Sequence, residues 1–167
     1  MIRMLRAMVD ASDRAEQLVA LFAARLAEAR NRAKPLPRRP RVFFEEWDDP
    51  LISGIGWVSE LVEIAGGIDI FADRAQQAAA KDRVVTVDEV VSREPDLIIG
   101  SWCGKKFRPE RVAARPGFVQ IPAGHHQDLY EIKSSLILQP GPTALTDGLA
   151  ELQNIIERWA KLAVQAR

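Results

Sequence analysis

Two short segments concentrate the residue types able to hold or transform a ligand. One is Glu45-Glu46-Trp47-Asp48-Asp49-Pro50, leading on to Ser53-Gly54-Ile55-Gly56-Trp57; the other is Ser101-Trp102-Cys103-Gly104-Lys105-Lys106-Phe107. Three of the four tryptophans lie in them. Trp47 and Trp102 stand among charged and small residues, a setting that suits a contact platform for a flat ligand better than a core. Trp57 fits such a platform and the buried face of a helix equally well. Cys103 raises the question of a thiol nucleophile, which needs an imidazole within reach and a group orienting it. The only histidines, His125 and His126, stand in surroundings that do not mark a dyad. No cysteine-hydrolase signature surrounds Cys103, so it reads as a small loop residue beside a ligand. Glu45, Glu46, Asp48 and Asp49 with the two histidines supply metal-ligand atom types. Neighbours on a strand point to opposite faces, however, and the spacing matches neither a zinc site nor a calcium loop. No catalytic residue and no metal site is therefore assigned. Gly54-Ile55-Gly56 opens a helix and could hold a phosphate at its N-terminus. Ser59 stands where a dinucleotide fingerprint needs its third glycine, so the nucleotide reading is weak.

These segments need elements to position them. Residues 1–33 read as helical, with Leu18, Val19, Leu21, Phe22, Leu26 and Ala29 at the spacing of one face. Asp13 with Glu16 resembles a capping box and Ser12 is an alternative cap, so Asp10-Ala11-Ser12 divides a short first helix from a longer second one. Pro35, Pro37 and Pro40 end helicity and form a stiff connector. Strands are expected at Arg41 to Glu45, Asp96 to Gly100, Phe118 to Ile121 and Leu129 to Ile132. The run Leu97-Ile98-Ile99 is continuously apolar, the mark of a strand buried on both faces in a parallel sheet. Helices are expected from Gly56 to Ala65, closed by Gly66-Gly67, from Val87 to Arg93, and from Thr143 to Ala166; Pro109 to Ala114 is a helical turn. Leu145, Leu149, Leu152, Ile156 and Trp159 share one face of the last helix. Strands alternating with helices predict an α/β fold in three layers, a mostly parallel sheet with helices on both faces, preceded by a long helix. Two regions follow, 1–36 and 37–167. In such sheets ligands collect beyond the carboxyl ends of the strands, where both segments above fall.

Composition narrows the classes. The chain has 167 residues with 23 basic and 23 acidic ones, so no electrostatic argument favours nucleic acid or an acidic membrane surface. The 47% apolar and 28% charged residues are those of a packed domain. A single cysteine excludes an internal disulfide. No apolar run approaches the roughly 20 residues that span a bilayer, and the first residues lack a signal peptide's apolar core. As written, the chain would stay in the cytoplasm, and an export signal would have to lie upstream.

Several segments together carry a resemblance. Glu45 to Gly54 running into Trp57-Val58-Ser59-Glu60-Leu61-Val62-Glu63-Ile64-Ala65-Gly66-Gly67 is one. Val87-Asp88-Glu89-Val90 before Arg93-Glu94-Pro95-Asp96-Leu97-Ile98-Ile99-Gly100 is a second, and Leu138-Gln139-Pro140-Gly141-Pro142 a third. In order, over about residues 37–160, they resemble the C-terminal lobe of the cobalamin-type substrate-binding proteins of ABC transporters. The helix with Gly-Gly and the Pro-Asp-Leu-Ile-Ile segment are shared with haem and iron–siderophore binders. Glu-Glu-Trp-Asp-Asp-Pro and Gly-Ser-Trp-Cys-Gly-Lys-Lys-Phe resemble the cobalamin branch. The resemblance implies a two-lobed, exported or lipid-anchored binding protein, not an enzyme, whose lobes are joined by one long helix; residues 1–33 would be the end of that helix, and the first lobe would be missing. Its expected ligand is a corrinoid such as cobalamin, with no other cofactor. Trp47, Trp57 and Trp102 would meet the ring, and Ser101, Lys105 and Lys106 the groups on its edge. Glu60, with Glu63 as alternative, would dock on the ABC transporter permease. Haem or siderophore binding by the same fold, and a stand-alone module self-associating as a homodimer through residues 1–33, are the other readings.

Overall fold

A computed structural model describes residues 12–165, with side chains from 13 to 163. The short helix expected before Asp10 lies outside these residues. Helix α1 is described over Ser12–Ala33. Its inward positions are Ala15, Val19, Phe22, Leu26, Ala29 and Ala33, in alternating steps of four and three residues. That is the pattern of a helix lying along a partner. Leu18 and Leu21, expected on the same stripe, are instead 37% and 49% exposed. Each residue turns the helix by about 100°, which carries the neighbours of Val19 and Phe22 off the packed face.

After the proline connector, β1 (Arg41–Asp48) runs parallel to β4 (Leu97–Gly100), with Val42 opposite Leu97 and Glu45 opposite Gly100. β4 in turn runs parallel to β5 (Leu129–Glu131). β2 (Leu51–Ser53) returns antiparallel along the end of β1, and β3 (Ile68–Asp69) pairs in parallel with its start. The strand order is β2-β1-β4-β5. Side chains alternate across a pleated sheet, and both faces here are apolar. Val42, Phe44, Leu97 and Ile99 form one core with α1, α2 (Gly56–Ile64) and α8 (Asp147–Gln165). Phe43 and Ile98 form the other with Phe71, with Val90 of α4 (Val87–Ser92) and with Val112 of α5 (Pro109–Ala113). Two cores on one sheet make the three layers expected. The first and last described helices meet on the first core: the Gln153 amide donates to the Ala29 carbonyl at 3.3 Å, and Arg32 pairs with Glu157 at 2.7 Å.

Three expectations are corrected. Phe118 to Ile121 is not a strand: Phe118–Gln120 is a single 3-10 turn. Gly117, at φ 77°, turns the chain just before it, and Pro122 starts the short helix α6 (Pro122–His125) just after. Too little chain is left between them to join the sheet. The last helix starts at Asp147 and not Thr143, because Pro142–Leu145 forms a separate 3-10 turn. The stretch after Glu45, where the expected first strand ends, is largely a hairpin of β1 and β2 with an irregular register between Glu45 and Trp47. Leu51 gives that hairpin an inward anchor in the second core.

Candidate ligand-binding site

The carboxyl ends of β1 and β4 are held together by one buried network. Glu45, fully buried, accepts two hydrogen bonds from Arg115, at 2.5 and 2.8 Å, and one from the Trp102 indole N–H at 2.9 Å. Burial pushes the Glu45 carboxyl above its usual range, and Arg115 only partly offsets this. Trp102 is 4% exposed and meets the Phe107 ring edge-on at 5.1 Å. The expectation that Trp102 offers an open ring to a ligand is therefore corrected. Its indole N–H needs a buried acceptor and finds one in Glu45, so the ring is a strut inside the second core. Ser101, beside it, is fully buried, and its hydroxyl has no hydrogen-bond partner among the described residues.

Trp47 and Lys105 are brought together, though against each other. The Lys105 ammonium lies 4.2 Å from the centre of the Trp47 ring and 2.8 Å from an Asp48 carboxylate oxygen. The Trp47 N–H donates to the Asp49 carbonyl at 2.9 Å, which fixes the tilt of the half-buried ring. Glu46 pairs with the buried Arg83 at 2.6 Å. The acidic run thus disperses: Glu45, Glu46 and Asp48 each meet a different cation. Lys106 is exposed and borders a separate 330 Å³ hollow with Arg108 and Glu131. Cys103 is exposed just beyond the carboxyl end of β4. His125 and His126 stack edge to face at 4.7 Å in the turn before β5, at the other edge of the sheet.

Trp57 belongs to a different surface. At the start of α2, its N–H donates to the Ile137 carbonyl at 3.1 Å. Its ring borders an apolar cleft of 520 Å³ that Val19, Phe22 and Leu26 of α1, Leu61 of α2 and the Pro140–Pro142 turn also line. Glu60 stands exposed at the edge of this cleft, with no hydrogen bond or ion pair among the described residues. Glu63 has a different fate. It pairs with Arg39 and accepts from the Asp69 backbone N–H at 3.3 Å, so it is committed to holding α2 against the strands. Sequence reasoning missed Arg83 and Arg115. Each lies far along the chain from the carboxylate it serves, and no local pattern marks it.

Comparison with known proteins places this geometry. A profile of the periplasmic binding protein family (Peripla_BP_2) matches residues 1–136. No curated protein sequence matches the chain. Among solved structures, a possible iron-binding periplasmic solute-binding protein from Staphylococcus epidermidis superposes with a TM-score of 0.79 at 19% identity, over 93% of this chain and 59% of that one. The periplasmic heme-binding protein RhuT from Roseiflexus sp. RS-1 gives 0.72 at 24% identity, over 93% and 61%. The periplasmic vitamin B12 binding protein BtuF of Vibrio cholerae gives 0.65 at 19% identity, over 88% and 55%. The chain thus spans about six-tenths of the length of these structures and shares their fold. With four-fifths of its residues inside the profile and a mostly parallel sheet flanked by helices, the chain belongs to the periplasmic binding protein family.

Proposed function

We propose that this chain is the C-terminal lobe of the extracytoplasmic substrate-binding component of an ABC importer, and that it takes a corrinoid such as cobalamin against a second lobe. The observation that carries this reading is the open apolar cleft between α1 and α2, with the Trp57 ring on its wall and the unpaired Glu60 at its edge. Ligand pockets are mostly apolar with few polar groups, and a half-open one calls for a second wall. The resemblance of the Glu45–Pro50 and Gly100–Phe107 segments to the cobalamin branch supports the ligand. Glu60 docks on a basic group of the permease, since Glu63 is already held by Arg39. Haem is the second reading, favoured by the fold shared with the heme-binding protein RhuT.

Absorbance titration of the chain, joined to a first lobe, with cobalamin and with hemin tests the reading. Saturable cobalamin binding, weakened by Trp57→Ala and untouched by Glu60→Gln, is expected. Saturation by hemin alone replaces the ligand, and saturation by neither overturns the reading. Sedimentation at high concentration shows whether a second copy covers the cleft instead.

A further inference from the structure

A hollow of 460 Å³ lies at the amino ends of the strands, away from the loops that follow β1 and β4. Arg38 comes just before β1, Asp96 just before β4 and Asp128 just before β5; Trp159, Leu162 and Ala163 of α8 line the hollow with them. Its polar groups are unevenly used. Trp47, Trp57 and Trp102 each donate the indole N–H to a carbonyl or a carboxylate. Trp159 does not. Its ring is only 7% exposed, yet its N–H has no acceptor among the described residues and remains in reach of solvent. The Arg38 guanidinium lies 5.1 Å from the centre of that ring and donates to Asp96 at 2.8 Å through one nitrogen, which leaves further N–H groups unused. Asp96 is already satisfied, because its second oxygen accepts from the Arg41 backbone N–H. Asp128 is not. It accepts from the Tyr130 hydroxyl at 2.9 Å and forms no ion pair among the described residues. Burial lifts its carboxyl above the usual range, and Tyr130, His126 and Arg158 offset this only in part.

The unused groups are therefore of both kinds. Arg38 and Trp159 offer N–H donors, which suit a carboxylate, and Asp128 offers a carboxylate, which suits an ammonium. Leu162, 49% exposed, with Ala163 and Pro122, makes the rest of the lining apolar. A few convergent polar groups in an apolar hollow of several hundred Å³ are the usual form of a small-molecule site. A simple anion would leave Asp128 unmatched, and a simple amine would leave Arg38 and Trp159 unmatched. We propose that this hollow is a second ligand site and that it takes a free α-amino acid with an apolar side chain. The ligand carboxylate meets Arg38 and the Trp159 N–H, its ammonium meets Asp128, and its side chain lies on Leu162 and Ala163. The site is at the other end of the sheet from the Trp57 cleft, so it stands whatever ligand that cleft takes.

The test follows the indole N–H resonances of the full chain in nitrogen–proton correlation spectra, with Trp159→Phe identifying the Trp159 signal by its loss. The chain is titrated with leucine, with leucinamide (no carboxylate) and with N-acetylleucine (no ammonium). Leucine should move the Trp159 signal saturably and leave the other three in place, since their acceptors lie elsewhere. A hydrogen bond to a charged group contributes about tenfold or more in affinity, so each blocked analogue should bind more weakly by at least that factor. Asp128→Asn keeps an oxygen for the Tyr130 hydroxyl and should weaken leucine by about tenfold, with the rest of the spectrum showing that the variant is folded. A Trp159 signal that leucine does not move saturably overturns the site. A blocked analogue that binds as tightly as leucine, or an Asp128→Asn chain that binds leucine unchanged, overturns the amino-acid assignment.

Discussion

Replacing Arg115 with methionine should show how the carboxyl edge of the sheet is held. Glu45 is buried and Arg115 nearly so, with side chains 0% and 14% exposed, so solvent screens their attraction little. Removing one partner of such a pair costs about 3–5 kcal/mol, because the other charge stays buried and unmatched. At about 2–4 °C per kcal/mol for a chain of this size, the melting temperature should fall by roughly 6–20 °C. The pH dependence separates this cause from simple loss of packing. Burial already raises the Glu45 carboxyl above its ordinary 4.5, and the pairing with Arg115 is what opposes the rise. Arg115→Met therefore pushes the folded-state value higher still. A raised carboxyl favours the fold below its unfolded value, and that advantage is lost as pH rises through the folded value. The deficit of the variant should thus be smallest in acid, where Glu45 carries its proton, and grow as pH rises to mildly alkaline values. Adding Glu45→Gln to Arg115→Met should recover much of the loss, since an amide needs no cation. Urea unfolding of the chain, the single variants and the double variant across this range measures each quantity. A deficit under about 1 kcal/mol, or one that does not change with pH, would refute the reasoning.

Two further changes probe the same edge. At Gly100 an added methyl would sit 2.0 Å from the Phe107 ring, so Gly100→Ala must dislodge Phe107 from Trp102 and should cost about 1–3 kcal/mol, read as a lower urea midpoint at unchanged slope. Ser101→Ala removes a buried hydroxyl that has no partner among the described residues, and should be neutral or raise stability by up to about 1 kcal/mol in thermal unfolding; a clear loss would show that the hydroxyl is bonded.

Much of the fold was legible because local patterns decide it. Leu97–Gly100 is buried at every position, as a continuous apolar run requires, and α2 ends before Gly66-Gly67, where Gly66 takes φ 98°. The final helix keeps Leu149, Leu152, Ile156 and Trp159 inward, as their spacing demands. Phe118 to Ile121 has strand composition, but Gly117 and Pro122 bracket it too closely for composition to matter. The site was less legible because pairing over long separations decides it. Glu45 lies 57 positions from Trp102 and 70 from Arg115, and Asp48 lies 57 from Lys105. A tryptophan among charged loop residues looks exposed until its carboxylate partner is known. For Trp57 and Glu60 the legible part was the helix that carries them, three residues apart, and not which face each would take.

The meeting of α1 and α8 bears on the order in which the molecule can be made. The Gln153–Ala29 contact joins residues 124 positions apart, and α8 supplies Leu149, Leu152, Ile156 and Trp159 to the core under the sheet. During synthesis α8 is the last described element to emerge. Until then Val42, Phe44, Leu97 and Ile99 have one side covered only in part, by α1 and α2, while the opposite core, built from residues before 130, already has all its parts. The two halves of the interior should therefore consolidate in sequence, with the sheet's α8 side waiting until α8 has emerged. Over that interval a chaperone would find its apolar target on this face.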